Sequence, residues 1–462
     1  MMFFLLPLYS IYLSPSDFGV LSLILSFNSI VLIISLISLT AAAQRFHFDD
    51  TSVVFRNKLW GTIVLIVLVN SLFLFCLAII TKDFLVSIIF QSIDFYPLIF
   101  IGLLNTALSS IYFIYQIYLQ TEGKSKLFTY NALINTFIQF LLIILFVVIL
   151  KMNVLGILLA NLVTSFIFFF HLLIKFVMKL TLKVDKQISK KAFKYSLPLV
   201  PHSLAGVSTS TIDKFFVNGI LGTFQTGIYS VGQQFSSIMG ILTSSVNNAY
   251  SPHFYQMVKN ENQMNEKLKL VSVNIVIFYS FLALLISIFS ADFIKFFLNH
   301  SYDNSIIVIK FLVYAQVFNG IYYLFVNVLF LENTTKVLYI TLITLIINIL
   351  LNFVLIPLLG IKGAALALLI SYFFKSITAL LFSLRYNKKI RFPIRNIFAC
   401  VFLSFMIAQI DEMLSSNIQT KSSYNLYIII KVILLLTLIL AFVLKYKAQL
   451  KFYYNTKSTN EI

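Results

Sequence analysis

The side chains able to do chemistry in this sequence are mostly lone charges set among apolar residues. Arg45 stands in the run Arg45-Phe-His-Phe-Asp49, and Asp213 and Lys214 lie well inside an apolar stretch that opens at Tyr195. A guanidinium is planar and makes bidentate hydrogen bonds. An ionisable residue at membrane depth is a functional candidate by default. Each has a plainer reading: Arg45 as a snorkelling anchor, and Asp213 in a salt bridge to another helix near the membrane surface. Helical neighbours point about 100° apart, so Asp213 and Lys214 do not form a pair on one face. Pro198 and Pro201 are hinge candidates, because proline frees backbone carbonyls and allows kinks. Gln233 and Gln234 either line a cavity or hydrogen-bond between helices, and His202 reads as a packed polar neighbour. Lys310, Lys375 and Lys431 read as close enough to helix ends to snorkel. No phosphate-binding glycine-rich loop, metal-ligand spacing or nucleophile elbow is present, so neither an enzyme nor a cofactor is expected. Cys76 and Cys400 stand alone in apolar stretches and build no disulfide framework.

The elements that must hold these residues are membrane helices. Of the 462 residues 60% are hydrophobic and only 11% charged, where a soluble domain carries roughly 25% charged residues. A spanning helix needs about 20 mostly apolar residues, and about fourteen such stretches follow one another, from 1–13 to 425–444. The first is short: about 13 residues reach only about 20 Å. Either the natural N-terminus lies upstream of Met1, the favoured expectation, or this stretch is a re-entrant half-helix; no cleavable signal peptide is read at the start. The basic residues test the count. Of the 34 Lys and Arg, 25 fall on the loops of one side and 6 on those of the other. By the positive-inside rule the rich side, with both termini, is cytoplasmic. The net charge of +18 is this bias spread over many short loops, not one nucleic-acid-binding patch. The densest run, within 175–194, is expected to lie against anionic lipid headgroups.

A weak internal repeat divides the chain. Gly19-Val-Leu-Ser22 lines up with Gly227-Ile-Tyr-Ser230, and Gly123-Lys-Ser-Lys126 and Gly156 find counterparts in Asn333-Thr-Thr-Lys336 and Gly363 at nearly the same offset. Six helices per repeat is an even number, so both halves share one orientation about an axis along the membrane normal. The expected organisation is an N-lobe at 1–175, a basic linker at 176–194, a C-lobe at 195–383, and two further helices with a basic tail at 384–462.

These residues also resemble a family. Leu6-Pro-Leu-Tyr-Ser-Ile-Tyr-Leu-Ser-Pro-Ser-Asp-Phe-Gly19 is similar to the opening of bacterial O-antigen and polysaccharide repeat-unit flippases of the Wzx type. Arg45-Phe-His-Phe-Asp49, Leu197-Pro-Leu-Val-Pro-His-Ser203, Asp213-Lys-Phe215, Gly227-Ile-Tyr-Ser230 and Ser251-Pro-His-Phe-Tyr255 resemble further motifs of that family. Lys214 departs from it, since arginine is common there. The resemblance implies an all-α membrane protein of the multidrug-and-toxin-extrusion fold, with two six-helix lobes around a central cavity. It implies an inner-membrane flippase for an oligosaccharide linked through pyrophosphate to a polyprenyl lipid. Membrane lipids and glycan-assembly proteins are its candidate partners. Arg45, Asp213, Lys214, Gln233 and Gln234 are then candidate cavity residues, and Tyr112, Tyr115 and Gln116 form a helical face that could stack on sugar rings. A cation-coupled multidrug antiporter and a membrane glycan polymerase are the competing readings. The topology has a direct test. With Cys76 and Cys400 replaced, cysteines at Lys183 and Lys389 are expected to be shielded from impermeant thiol reagents in intact cells, and one at Lys421 to react. Labelling at Lys183 from outside would overturn the orientation.

Overall fold

The computed structural model describes residues 3, 5–91, 93–259, 264–387, 389–416 and 431, and among them there are helices and connections but no strand. Helix α1 (Leu6–Tyr12) has seven residues and is too short to span. The chain restarts at α2 (Pro15–Leu36) for a local reason. The Ser14 hydroxyl accepts from the Asp17 N–H, the Asp17 carboxylate accepts from the Ser14 N–H at 3.1 Å, and Pro15 takes the first turn, where an N–H has no partner anyway. The second stretch, expected at 19–43, is not one helix. Ile37 and Ser38 are left-handed (φ 49° and 53°), and the chain turns there into the short α3 (Leu39–Phe46).

Helices α4 (Val53–Ile80), α5 (Lys82–Leu85), α6 (Phe100–Thr121), α7 (Ser125–Ile143) and α8 (Asn153–Lys175) complete the first lobe. The stretch read as a linker contains a helix of its own, α9 (Lys186–Ser196), whose first turn is capped by Asp185. Next comes α10 (Val200–Lys259), which is 60 residues long and breaks at Gly222 (φ 85°), a conformation open to glycine. Its arms, 200–221 and 223–259, are about 33 Å and about 55 Å long. Helices α11 (Met264–Phe297), α12 (Ile306–Glu332), α13 (Thr335–Leu359), α14 (Ile361–Tyr386) and α15 (Ile394–Ser416) follow. Among the described residues ten helices are long and apolar enough to cross a membrane. The arms of α10 are not among the ten, because serine, threonine, asparagine and glutamine dilute their apolar faces. Together with α1 they continue the expected order; the fourteenth span, expected at 425–444, lies outside the described residues except for Lys431. The chain is a multi-pass membrane protein.

Polar contacts gather the connections into two ends. Lys58 pairs with Asp185 at 3.2 Å and Arg56 with Glu122 at 3.7 Å, while Asn265 donates to the Lys389 carbonyl at 3.1 Å and Asn387 to Glu332 at 2.9 Å. These mark the lysine-rich end. At the charge-poor end the Tyr302 hydroxyl donates to the Leu13 carbonyl at 3.0 Å and Asn218 to the Phe90 carbonyl at 3.4 Å. The core divides in the same way. One body of buried side chains runs from α2 (Leu21, Ile24) into the second lobe (Tyr229, Val308, Phe325). A second, around Trp60, Ile63, Ile111 and Leu172, fills the lysine-rich end of the first lobe alone.

The lobes join where α2 crosses the second arm of α10. A methyl at Gly19 would run into the Thr223 carbonyl, and one at Gly227 into the Pro15 carbonyl. One turn on, the Ser22 and Ser230 hydroxyls meet at 2.6 Å. Both glycines and both serines are partners in the internal repeat. Equivalent residues touch one another only near a two-fold axis, as at any self-complementary interface, so this contact makes the parallel repeat visible in three dimensions. With Cys76 and Cys400 replaced, Ser22→Cys combined with Ser230→Cys is expected to form a disulfide under mild oxidation. The fragments would then stay joined after proteolysis in the linker. Two free thiols would show that the lobes do not meet there.

Candidate functional site

Arg45 stays at the lysine-rich end. It is on the last turn of α3, 62% exposed, and 3.4 Å from Asp49, which also binds Lys191 of α9. These two cations hold the Asp49 carboxyl below its ordinary range, the hydrogen bond from Lys191 contributing most. Arg45 is thus built into a cluster that fastens the linker to the first lobe. The fastening continues nearby: Thr62 donates to the Lys183 carbonyl at 3.2 Å, and Lys58 binds Asp185. Buried His47 accepts the Trp60 indole N–H at 3.0 Å and faces Glu122 at 3.3 Å through its other nitrogen. Burial and then Arg56 hold the His47 imidazole below its ordinary pKa against the pull of Glu122, so it is a neutral link at neutral pH.

Asp213 is completely buried, and among the described residues no arginine or lysine lies on its oxygens. Tyr229, from the other arm of α10, donates to one at 2.9 Å, and Asn352 of α13 to the other at 2.6 Å. The expected salt bridge near the surface is replaced by neutral donors, because Asp213 sits nine residues below the Gly222 break, about 13 Å deep. It ties three helices together rather than lining open space. Lys214 points elsewhere, as the 100° step requires, and is 8% exposed with no ion pair among the described residues. Gln233 donates to the Ser210 carbonyl at 2.6 Å and so joins the two arms of α10, and neighbouring Gln234 is also engaged.

Two further expectations change. Tyr112, Tyr115 and Gln116 do share a face of α6, but its two rings are half-buried against their own lobe. Gln116 donates to the Tyr112 hydroxyl at 2.6 Å, and the two rings lie against Phe168 and Phe176 of and beside α8. Aromatic residues at helical spacing found an aromatic neighbour within their own lobe. Pro198 lies in the tight turn between α9 and α10, and Pro201 in the first turn of α10. A proline there removes no helical hydrogen bond, so the first arm of α10 runs unbroken to Gly222. The prolines shape the entry from the linker, not a bend within the span.

The residue that sequence reasoning undervalued is Lys375. It is 14 residues from the start of α14 and 11 from its end, which is mid-depth and too far in to snorkel. Its ammonium donates to Asn319 at 2.8 Å and sits 4.2 Å from the centre of the Tyr322 ring and 5.2 Å from that of Tyr372. Unlike Asp213 it keeps partial exposure, and intramembrane lysines with exposed surface face a bundle interior or a water-filled cavity. A polar seam leads from it toward the lysine-rich end, where Thr341 meets His202 at 3.1 Å. Counting rise from both ends of the helix was the signal available in the sequence. Lys310 and Lys431 do not snorkel either. Lys310 meets Gln409 and Glu412 of α15, and Lys431 lies between Asp411 at 3.3 Å and Asp292 at 3.6 Å. Both fasten α15 to the second lobe.

A family model described as polysaccharide biosynthesis protein matches residues 12–307. No curated protein sequence matches significantly. Among solved structures, the lipid II flippase MurJ in an inward closed conformation is 17% identical, with a TM-score of 0.71 over 93% of this chain and 97% of that one. An inward-facing multidrug resistance MATE family transporter of the MOP superfamily is 15% identical, with a TM-score of 0.58 over 83% and 93%. The Vibrio cholerae MATE transporter VcmN in the bent form is 14% identical, with a TM-score of 0.54 over 82% and 96%. At these identities the likeness is one of fold: two six-helix lobes of the multidrug-and-toxin-extrusion type.

The Asp213 network has a measurable consequence. Asp213→Ala leaves the Tyr229 hydroxyl as a buried donor without its acceptor, at a cost of about 1–3 kcal/mol, and strips the Asn352 amide to its bonds with Asn348. Thermal unfolding of the detergent-solubilised protein is expected at a clearly lower temperature, with Asp213→Asn intermediate. An unchanged melting temperature for Asp213→Ala would mean that the network carries no stability.

Proposed function

The chain belongs to the polysaccharide biosynthesis protein family, and on that premise we propose that it is a flippase for polyprenyl-pyrophosphate-linked oligosaccharide repeat units. It carries O-antigen or capsule units from the cytoplasmic to the outer leaflet of the bacterial inner membrane. The observation that carries the reading is Lys375, a partly exposed cation at mid-depth held by Asn319 and two tyrosine rings. A pyrophosphate crossing the bilayer needs such a partner, because an unpaired charge away from water is costly. Tyrosine rings beside it offer faces for a sugar. With the lysine-rich end cytoplasmic, the Gly19–Gly227 contact closes the outer side, and the head group enters from the cytoplasm. Rocking of the lobes about that contact then exposes it outside while the polyprenyl tail stays in lipid.

The membrane potential favours this direction. An anion leaving an inside-negative cell gains about 2.3 kcal/mol per charge per 100 mV, so two charges supply about 4 to 5 kcal/mol without a coupled ion. A cation-coupled antiporter requires an acidic group open to the cavity. Asp213 is buried and its oxygens are taken by Tyr229 and Asn352, which disfavours that reading. A polymerase requires a large outer loop, and the described connections at the charge-poor end are short.

Deleting the gene is expected to stop surface glycan and leave lipid-linked units on the inner leaflet; normal glycan with altered drug sensitivity would support the antiporter. Lys375→Met is expected to weaken export most. A charged hydrogen bond is worth about 1.5–3 kcal/mol, roughly ten- to a hundredfold in affinity. Arg45→Ala and Lys214→Ala are expected to reduce export at normal protein levels, with Arg45→Lys partly restoring it because charge survives without the bidentate fork. Lys214→Arg is expected to be tolerated. Wild-type export by all three charge-removing variants would refute the cationic path.

A further inference from the structure

A groove of about 540 Å³ opens between the second arm of α10 and α11, in the half of the molecule nearer the lysine-rich end. It takes no part in the path described above. Its lining is graded. Gln256, His253 and Lys267 line it within about 10 Å of the helix ends, Val271 lines it just beyond them, and Val246 and Ile275 line it some 15–20 Å in. Both helices are longer than the roughly 30 Å hydrocarbon core, so the polar part lies at headgroup level and the apolar part at acyl level. Between the two parts is Tyr250. It is 5% exposed, it lines the groove, and among the described residues its hydroxyl has no hydrogen-bond partner. A buried hydroxyl of this kind is rarely left unpaired.

Among the described residues the charge of the mouth is one-sided. Lys267 lines the groove, whereas Glu266 turns into a separate depression beside Lys269 and Arg391. Lys259, at the end of α10, adds to the positive field. We propose that this groove is a binding site for one anionic phospholipid of the inner leaflet. Its phosphate is held by Lys267 and His253, an ester carbonyl accepts the Tyr250 hydroxyl proton in a hydrogen bond, and an acyl chain runs along Val246, Val271 and Ile275. The site is independent of the transported substrate. It bears on transport through the helix it grips, because the far end of this arm of α10 carries Gly227 and Ser230 at the contact between lobes. The lipid would set the position of an arm that must move.

The test uses the full-length protein in neutral detergent, with thermal unfolding followed as lipid is added. Phosphatidylglycerol is expected to raise Tm saturably, by at least about twice the shift given by phosphatidylcholine, as for a ligand that binds only the folded state. Lys267→Glu is expected to reduce the phosphatidylglycerol shift to the phosphatidylcholine level. Tyr250→Phe is expected to diminish the shift with either lipid. Val271→Trp, which fills the acyl part and leaves Lys267 in place, is expected to lose the response and serves should Lys267→Glu fail to insert. Equal shifts with both lipids, or an undiminished phosphatidylglycerol response in Lys267→Glu and Val271→Trp, would overturn the proposal. So would the same shift from inorganic phosphate alone, or a stronger Lys267-dependent shift from polyprenyl phosphate, which would make the groove a station for the substrate carrier.

Discussion

The packing of α2 on the second arm of α10 at Gly19 and Gly227 is the constraint on which the rest of the molecule depends. In lipid, helices gain little from burying apolar surface, so association rests on close backbone approach and interhelical hydrogen bonds. Glycine at both positions lets the two backbones touch, and the Ser22–Ser230 hydrogen bond lies one turn away. Because these residues are repeat partners, the contact sits on the pseudo-two-fold axis. A pair of lobes joined at one end of such an axis can swing apart at the other. The arrangement of the core agrees: it is continuous between lobes at the charge-poor end, while the first lobe keeps its own cluster at the lysine-rich end.

The second lobe shows how polar residues are kept inside such a structure. Asp213 holds Tyr229 and Asn352, while Lys310 and Lys431 hold carboxylates on and beside α15. Each of these charges meets a partner from another helix and acts as a fastening between spans. Lys375 differs in having a neutral amide and ring faces as partners and some exposure besides. An incompletely neutralised cation costs free energy at mid-depth, and an anionic passenger would offset it. The first lobe has its fastenings at the lysine-rich surface instead. There His47, Trp60, Glu122, Asp49 and Asp185 lock α3, α4 and the linker helix α9 together.

Much of this fold was legible in the sequence, because membrane insertion reads the chain locally. Span number, alternation of basic loops, the Ser14–Asp17 helix start and the repeat pairing of Gly19 with Gly227 all follow from residue type and spacing along one strand of sequence. Apolar length and loop charge have a fixed physical meaning wherever they occur. The class of fold and the family resemblance were available on the same grounds.

The site depended on tertiary structure, because a side chain's role is set by what the neighbouring helices present to it. Asp213 and Lys375 look alike in sequence, each a lone charge in an apolar run, yet one is enclosed by Tyr229 and Asn352 and the other retains open surface. Tyr112 and Tyr115 are correctly placed on one face of α6, but Phe168 and Phe176 pack against their rings, and spacing on one helix carries no information about the helix opposite. Pro198 and Pro201 were legible as backbone breakers; that they fall before and within a first turn, where they break nothing, depended on where α10 begins. Local sequence determined which segments cross the membrane and in which order, since hydrophobic length and charge act residue by residue. Contact between segments distant in sequence decided which of their charges are paired across helices and which, like Lys375, meet only neutral partners.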